Sequence, residues 1–236
     1  MKKLMFGLAI AAVGTAFAVE SSNIVGYQQI PVNSSGFTLV TPTFDKVDGT
    51  SVKLADIEAN NSYESIQVLD TNAGTSEEYF FMSKEDSGLD ADGWFYDDFE
   101  TSADAVEVTE GKSILFSSQG TESITFAGQV ASTAKSVVSE EAGFTMIGNN
   151  TPVDITLSDL VCSGINSYDS IQFMDENLST SAEYFFMSKE DSGLAADGWF
   201  YDDFETIAND VVIPAGSGIL FNATAGAVTI TVPSAL

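Results

Sequence analysis

Apolar and polar positions follow the short periods of β-strands along most of the chain. Segments Val106–Val108 and Ser123–Phe126 alternate with a period of two, which is typical of half-buried strands. Short apolar or aromatic runs bounded by Gly, Asn, Asp and Ser predict further strands. These runs are Ile24–Val32, Phe37–Val40, Ile66–Leu69, Tyr79–Met82, Trp94–Tyr96 and Ile114–Phe116. Their spacing predicts an all-β fold, either a β-sandwich or a partly open barrel.

Two segments depart from this strand pattern. In Ser51–Ala59 the apolar residues Val52, Ala55 and Ile57 are spaced as in a short helical turn. The segment Thr156–Val161 has a similar pattern. We therefore expect a minor content of short helix within the β fold.

The chain contains an internal repeat with an offset of 105 residues. Over 24 positions, Glu78–Thr101 and Glu183–Thr206 differ only where Asp90 is replaced by Ala195. Outside this block, Ser62–Tyr63 matches Ser167–Tyr168 in the same register. A repeat of this length has the usual size of one β domain. The sequence therefore predicts two tandem β domains from an internal duplication, at residues 19–128 and 129–236.

The first residues have the pattern of an export signal. Lys2 and Lys3 precede an apolar run, and Ala16–Phe17–Ala18 has the small residues that signal peptidase accepts. The run is too short for a membrane anchor, and we expect no membrane span in the mature chain. We predict that residues 1–18 are a signal peptide for bacterial Sec-type export. The mature protein is then expected to be secreted or at the cell surface, with the periplasm as the alternative compartment.

Composition and charge exclude several classes of function. The chain has 35 acidic residues against 8 basic ones, all of them Lys, and a formal net charge of -27. Such a charge repels nucleic acid phosphates and anionic lipid headgroups. The chain has no His and a single Cys, so it lacks the commonest general base and the cysteines for a disulfide or a Cys-rich zinc site. We therefore expect no nucleic acid partner.

No group of residues has the pattern of a catalytic centre. The sequence contains neither a Gly-x-Ser-x-Gly motif nor a phosphate-binding loop nor a dinucleotide fingerprint. Cys162 has no His to activate it and no counterpart in the first repeat, so we expect a buried, inert thiol. The protein is not expected to be an enzyme.

The duplicated block contains candidate calcium ligands. Asp90-x-Asp92-Gly93 has part of the form of a calcium loop, in which oxygen ligands alternate and a Gly allows a sharp turn. The alternative is a solvated turn and edge strand whose charges prevent edge-to-edge pairing. The predicted metal ligands are Asp92, Asp97, Asp98, Asp197, Asp202 and Asp203.

The same block contains candidate sugar-binding aromatic residues. The rings of Trp94, Tyr96, Trp199 and Tyr201 could stack on sugar rings, while neighbouring carboxylates accept hydrogen bonds from sugar hydroxyls. The alternative is that each Trp anchors the core of its own domain, because such rings bury large apolar areas.

Three short motifs resemble those of a loose group of secreted, uncharacterised bacterial β-rich proteins. The motifs are Asn23–Tyr27 (N-x-V-G-Y), Gly93–Phe99 (G-W-[FY]-x-D) and Pro214–Gly218, which precedes a strand and contains G-x-G-[FI]. The resemblance implies a β-sandwich fold and export, and it implies no activity.

Taken together, these patterns favour an exported, non-enzymatic structural or cell-surface protein. It would be a subunit of an extracellular layer, filament or matrix whose partner is the protein itself. In this hypothesis the strand at Asn23–Val32 adds to the sheet of a neighbouring chain. The alternative is a bivalent carbohydrate- or surface-binding module, calcium-dependent or not, that binds surface glycans through the two acidic–aromatic segments.

Overall fold

The computed structural model describes residues 25–69, 76–88, 90–175 and 177–236, so the predicted signal peptide lies outside the described residues. Within them, the chain forms short antiparallel strands, two α-helices of one turn each and two 3-10 turns. The prediction of an all-β fold with minor helix is confirmed. No helix in this part of the chain is long and apolar enough to cross a membrane.

The first repeat contains seven strands among its described residues. The strands are β1 (Val25–Pro31), β2 (Phe37–Val40), β3 (Ser65–Leu69), β4 (Ser76–Met82), β5 (Gly93–Phe95), β6 (Ile114–Ser117) and β7 (Ser123–Gln129). Helix α1 (Lys84–Ser87) joins β4 to β5, and a 3-10 turn covers Leu54–Asp56. The predicted helical segment of this repeat is therefore a 3-10 turn.

The second repeat has the same order of main elements and three additional short strands. Its strands are β8 (Lys135–Ser139), β9 (Gly143–Gly148), β10 (Ile155–Thr156), β11 (Val161–Ser163), β12 (Ser170–Met174), β13 (Thr180–Met187), β14 (Gly198–Phe200), β15 (Val212–Ile213), β16 (Gly218–Ala223) and β17 (Val228–Val232). Helix α2 (Lys189–Ser192) joins β13 to β14, and a 3-10 turn covers Leu157–Asp159.

Each repeat places a five-stranded antiparallel sheet over a smaller one. The large sheets have the orders β2-β6-β3-β4-β5 and β9-β16-β12-β13-β14, which are equivalent in the two repeats. The smaller sheets are β1-β7 in the first repeat and β8-β17-β11 in the second. Side chains from both sheets of a repeat share one hydrophobic core, which is the arrangement of a β-sandwich.

The N-terminal strand β1 pairs with β7 of its own repeat from Val25 to Pro31. Ile30 of this strand is buried in the first core, whereas Val25 and Tyr27 are exposed. One edge of β1 is thus used within the chain. If this strand adds to the sheet of a neighbouring chain, as hypothesised, it must do so through its other edge.

Two sequence-based predictions, one strand and the boundary between the repeats, differ from the structure. Val106–Val108 forms no regular strand, because it pairs with the Lys53 segment through a single bridge and the backbone turns back at Ala103. In addition, Val130 and Ala235, which the sequence assigned to the second repeat, pack against the first core.

The two repeats meet along a joint with approximate two-fold symmetry. The N–H of Thr41 donates to the carbonyl of Gly216 at 2.8 Å, and the N–H of Gly148 donates to the carbonyl of Gly111 at 3.3 Å. In the register of the repeat, Thr41 corresponds to Gly148 and Gly111 corresponds to Gly216. The same contact is therefore made once from each side.

At the centre of this joint the symmetry is broken by side-chain size. The hydroxyls of Thr41 and Ser113 lie 2.8 Å apart and buried, and the Ser113 hydroxyl donates to the carbonyl of Ile147. The equivalent residues of the second repeat are Gly148 and Gly218. A Cβ on Gly148 would lie 1.8 Å from the Thr41 hydroxyl, and one on Gly218 would lie 2.6 Å from that of Ser113. The two hydroxyls of the first repeat thus occupy space that only glycine in the second repeat leaves open.

Candidate functional site

Both indole rings of the predicted sugar site lie in the hydrophobic cores. Trp94 is 1% exposed and Trp199 is 3% exposed. The indole N–H of Trp94 donates to the carbonyl of Ile57 at 3.0 Å, and Phe81 contacts its ring edge to face. The prediction that these two rings stack on a sugar is therefore corrected: they are core anchors, because the large apolar area of Trp is best removed from water.

The two tyrosines of the predicted sugar site lie closer to the surface. Tyr96 is half-buried and packs edge to face on Tyr79, with 5.3 Å between ring centroids. Tyr201 is 39% exposed and packs in the same way on Tyr184, also at 5.3 Å. Of the four predicted rings, Tyr201 is the one most open to a ligand.

The predicted calcium ligands act as acceptors for local backbone N–H groups. Asp92 accepts from the N–H of Lys84 at 2.7 Å, and Asp197 accepts from that of Lys189 at 2.8 Å. Each of these bonds satisfies an N–H at the start of a one-turn helix.

Asp98 and its counterpart Asp203 hold a tight turn. Asp98 accepts from the N–H groups of Glu100 and Thr101 at 2.9 and 2.8 Å and from the Thr101 hydroxyl at 2.6 Å. The Thr101 hydroxyl is also the largest cause of the lowered pKa of Asp98, followed by the two backbone bonds. Asp203 makes the same contacts in the second repeat.

The predicted calcium ligands are not gathered into one cluster of carboxylates. Among the described residues, no three His, Cys, Asp or Glu side chains come together in a group that could hold a metal ion. The carboxylates of Asp92, Asp98, Asp197 and Asp203 accept N–H bonds from local turns, and Asp97 and Asp202 are exposed beside them. Asx turns and calcium loops use the same residue types at similar spacing, and calcium binding by these six residues stays a prediction.

A feature that the sequence analysis missed is a surface cluster of three aromatic rings in each repeat, here called the aromatic patch. In the first repeat Phe99 packs on Tyr63, with centroids 6.2 Å apart, and on Phe80, with centroids 5.1 Å apart. In the second repeat Phe204 packs on Tyr168 at 5.8 Å and on Phe185 at 5.0 Å. The two patches are built from equivalent residues.

The outer rings of both patches remain partly in water. Tyr63 and Tyr168 are 57% and 52% exposed, and Phe99 and Phe204 are both 40% exposed. Phe80 and Phe185 lie beneath them, half-buried. The loop carrying Phe99 thus covers part of the outer face of β4.

Four of the six patch residues also have an unusual backbone conformation. Tyr63 and Tyr168 have φ of 70° and 74°, and Phe99 and Phe204 both have φ of 55°. Bulky residues rarely occupy this left-handed region, and each instance costs about 1 kcal/mol or more. Four exposed aromatic residues are thus held in a conformation that Gly or Asn adopts more easily.

Hydrogen bonds on either side fix these strained residues. The turn held by Asp98 carries Phe99, and the N–H of Tyr63 donates to the carbonyl of Phe81 at 2.8 Å. Next to Tyr63, the buried carboxylate of Glu64 accepts from the N–H groups of Asn60 and Thr121, both at 3.0 Å. The loop that presents Tyr63 is therefore tied to the turn after β6.

A sequence signal for the patch exists, although it does not reveal exposure. Tyr63, Phe80 and Phe99 all recur in register as Tyr168, Phe185 and Phe204. Recurrence alone does not separate a surface ring from a core ring, because the buried Trp94 recurs in the same way as Trp199.

The lone cysteine is poorly suited to nucleophilic chemistry. Cys162 lies on β11, partly covered by the second core. Burial, and to a smaller extent the charge of Asp169, raises the pKa of its thiol to about 12. Since the thiolate is the reactive form, this thiol is held in its unreactive state at neutral pH.

Comparison with known proteins gives no relative from which a role could be transferred. No family model, no curated protein and no solved structure matches this chain.

Proposed function

We propose that the protein is an exported, non-enzymatic structural or cell-surface protein that assembles with copies of itself through its two aromatic patches. The single observation that carries this proposal is the recurrence of the same strained, exposed rings in both repeats. Strain and exposed aromatic area both cost free energy, and such features persist where they have a role.

The joint between the repeats supports this role. Hydrogen bonds made from each side, at Thr41 and Gly148, hold the two repeats together. One chain therefore presents two equivalent patches. If a patch contacts a patch on another chain, each chain has two contacts and can extend the assembly in two directions, as in a filament.

The charge of the chain sets the conditions for assembly. A formal net charge of -27 opposes contact between copies. In addition, the exposed carboxylates of Asp86 and Asp98 are close in sequence to residues of the first patch. At an ionic strength of about 0.1 M, charges are screened beyond about 10 Å. We therefore expect assembly to increase with salt and with divalent cations, without an ordered metal site.

The test is light scattering of the mature chain over a series of NaCl and MgCl₂ concentrations. The informative variants are Phe99→Asn, Phe204→Asn and the double variant. Asn accepts positive φ, so these changes remove the ring while preserving or relieving the turn. Val153→Asn, at an exposed apolar residue outside the patches, is the matched control.

We expect wild type and Val153→Asn to form large assemblies and the double variant to remain monomeric. Like-with-like pairing of patches predicts that each single variant stops at dimers, because one patch per chain is left. Pairing of the first patch with the second predicts that each single variant alone stays monomeric and that a mixture of the two single variants forms heterodimers. A wild type that stays monomeric at all salt concentrations, or a double variant that assembles normally, overturns the proposal.

The exposed edge of β1 offers a second route to assembly, which the same experiment separates. Tyr27 is 75% exposed on this strand. Tyr27→Pro removes a backbone donor from β1 without touching either patch. Loss of assembly in Tyr27→Pro, with normal assembly in the Phe double variant, would assign the contact to the strand edge instead.

A further inference from the structure

The second repeat contains a groove beside the first half of β13. Its volume is about 390 Å³, and its lining includes Ala182, Glu183, Tyr184, Tyr201 and Asp202. Strand β13 pairs with β12 on one side, whereas β14 covers only Phe185–Met187 on the other. The groove follows the part of the strand edge that β14 leaves open.

One polar group lining this groove lacks a partner. Tyr184 as a whole is 8% exposed, and within the described part of the chain its hydroxyl makes no hydrogen bond, although the oxygen is open to water. The hydroxyl itself is not enclosed, so water reaches it, and a ligand that accepts a hydrogen bond from it takes the place of that water. Burial, followed by the nearby Tyr201, raises the pKa of Tyr184, so the hydroxyl remains a donor at neutral pH.

The first repeat satisfies the equivalent hydroxyl from within. The Tyr79 hydroxyl donates to the carboxylate of Glu77, and Tyr79 is only 1% exposed. Glu77 corresponds to Ala182 in the register of the repeat. The methyl group of Ala182 can neither accept this hydrogen bond nor fill the space of the Glu side chain. The second repeat thus lacks the internal partner that the first repeat has.

We propose that this groove of the second repeat binds a saccharide unit that carries no anionic group. The partly exposed ring of Tyr201 supplies an apolar face for a sugar ring. A sugar oxygen accepts from the Tyr184 hydroxyl, as the Glu77 carboxylate accepts from the Tyr79 hydroxyl in the first repeat. Asp202 and Glu183 supply acceptors for sugar hydroxyls. One oxygen of Glu183 already accepts from Ser170 and Gln172, which fixes the carboxylate in place.

The negative charge of the groove further restricts the class of saccharide that can bind. The two carboxylates of the groove and the formal net charge of -27 repel uronic and sialic acids. Neutral hexoses and N-acetylhexosamines keep the hydroxyl groups and lose the repulsion. The site is single, because the first repeat places Glu77 at the critical position.

The test is a glycan array followed by calorimetry with the best neutral oligosaccharide, using the mature chain at low salt. Ala182→Glu copies the Glu–Tyr pair of the first repeat, which folds in the same strand context. We expect it to weaken binding at least tenfold. Tyr184→Phe should weaken binding several-fold by removing one hydroxyl, and Tyr201→Ala should abolish stacking. Thr229→Glu, on the surface of β17, is a charge-matched control that leaves binding unchanged.

Each result of these binding measurements either supports or overturns the proposed saccharide groove. Binding of neutral glycans that Ala182→Glu abolishes supports the groove. No binding to any neutral glycan, preference for anionic glycans, or binding that survives Ala182→Glu overturns it. Since none of these substitutions changes Phe99 or Phe204, light scattering on the same samples reports separately on assembly.

Discussion

Glu64 and Thr121 are joined by two hydrogen bonds, one from the Thr121 N–H at 3.0 Å and one from its hydroxyl at 2.8 Å. The carboxylate of Glu64 is fully buried, and burial alone would raise its pKa. The bonds from Thr121 and from the N–H groups of Gln119 and Asn60 outweigh this and lower the pKa of Glu64 to about 2. The ionised form is therefore the one that the fold stabilises.

This relationship predicts a pH-dependent cost for Glu64→Gln. The folded pKa lies below the ordinary value of 4.5, so the stabilisation is present above that value and is lost as the pH falls towards 2. From the size of the shift we expect Glu64→Gln to lower the free energy of unfolding by on the order of 3 kcal/mol at neutral pH. Urea unfolding of both proteins from neutral pH down to about pH 2 measures the difference.

The control for this prediction is Glu85→Gln, at an exposed carboxylate of α1. General relief of charge repulsion at low pH acts on wild type and variants alike and cancels in the comparison. A stability gap between wild type and Glu64→Gln that stays constant with pH would show that the bonds do not depend on ionisation.

The joint between the repeats predicts that Gly148→Ala is destabilising. A Cβ there lies 1.8 Å from the Thr41 hydroxyl, 2.6 Å from that of Ser113 and 2.7 Å from the carbonyl of Ser217. We expect a loss of about 1–3 kcal/mol, as for other overpacked sites. Gly26→Ala is the control, because its Cβ meets only the ring of Phe44 at 3.4 Å. Equal unfolding midpoints for the two variants would contradict this view of the joint.

Burial of Trp94 predicts that its substitution affects stability. Trp94→Ala should cost about 3–5 kcal/mol in the free energy of unfolding, as expected for truncation of a large core ring. Trp94→Phe should cost less, since it keeps most of the apolar area and loses the hydrogen bond to Ile57. Tyr27→Ala, at a residue 75% exposed, should change stability by no more than about 0.5 kcal/mol. A Trp94→Ala protein as stable as wild type would contradict the core assignment.

The raised pKa of Cys162 predicts slow alkylation of the native protein. With a pKa of about 12, few thiols are ionised at mildly alkaline pH, and burial restricts access further. Labelling with iodoacetamide, followed by mass spectrometry, should be at least tenfold slower for the native chain than for the chain in urea. The urea sample is also the control for reagent activity. Equal rates in both samples would show that the thiol is accessible in the fold.

The sequence predicted the fold well where the signal was repeated or periodic. The 105-residue offset predicted two equivalent sets of elements, and the large sheets of the two repeats do have equivalent strand orders. The apolar runs at Phe37–Val40 and Ile114–Phe116 correspond to β2 and β6. These predictions depend on local pattern, which a single sequence contains in full.

The site was predicted less well, because it depends on which way side chains face. Trp94 and Phe99 lie five residues apart in the same block, yet one is buried and the other is 40% exposed. Positive φ at Phe99 is imposed by the Asp98 turn, and aromatic residues give no sequence signal for it. The difference between Glu77 and Ala182 matters because each lies beside a tyrosine, Tyr79 or Tyr184, and this contact depends on the fold.

The pairing of Thr41 and Ser113 with Gly148 and Gly218 also means that the two copies are no longer interchangeable. A chain made of two first repeats would set hydroxyl against hydroxyl at the centre, and a chain made of two second repeats would leave a hollow there. The two repeats are therefore complementary at this joint, with side chains on one side and glycines on the other. A chain made of two copies of the same repeat would need compensating substitutions at this joint before it could fold as this protein does.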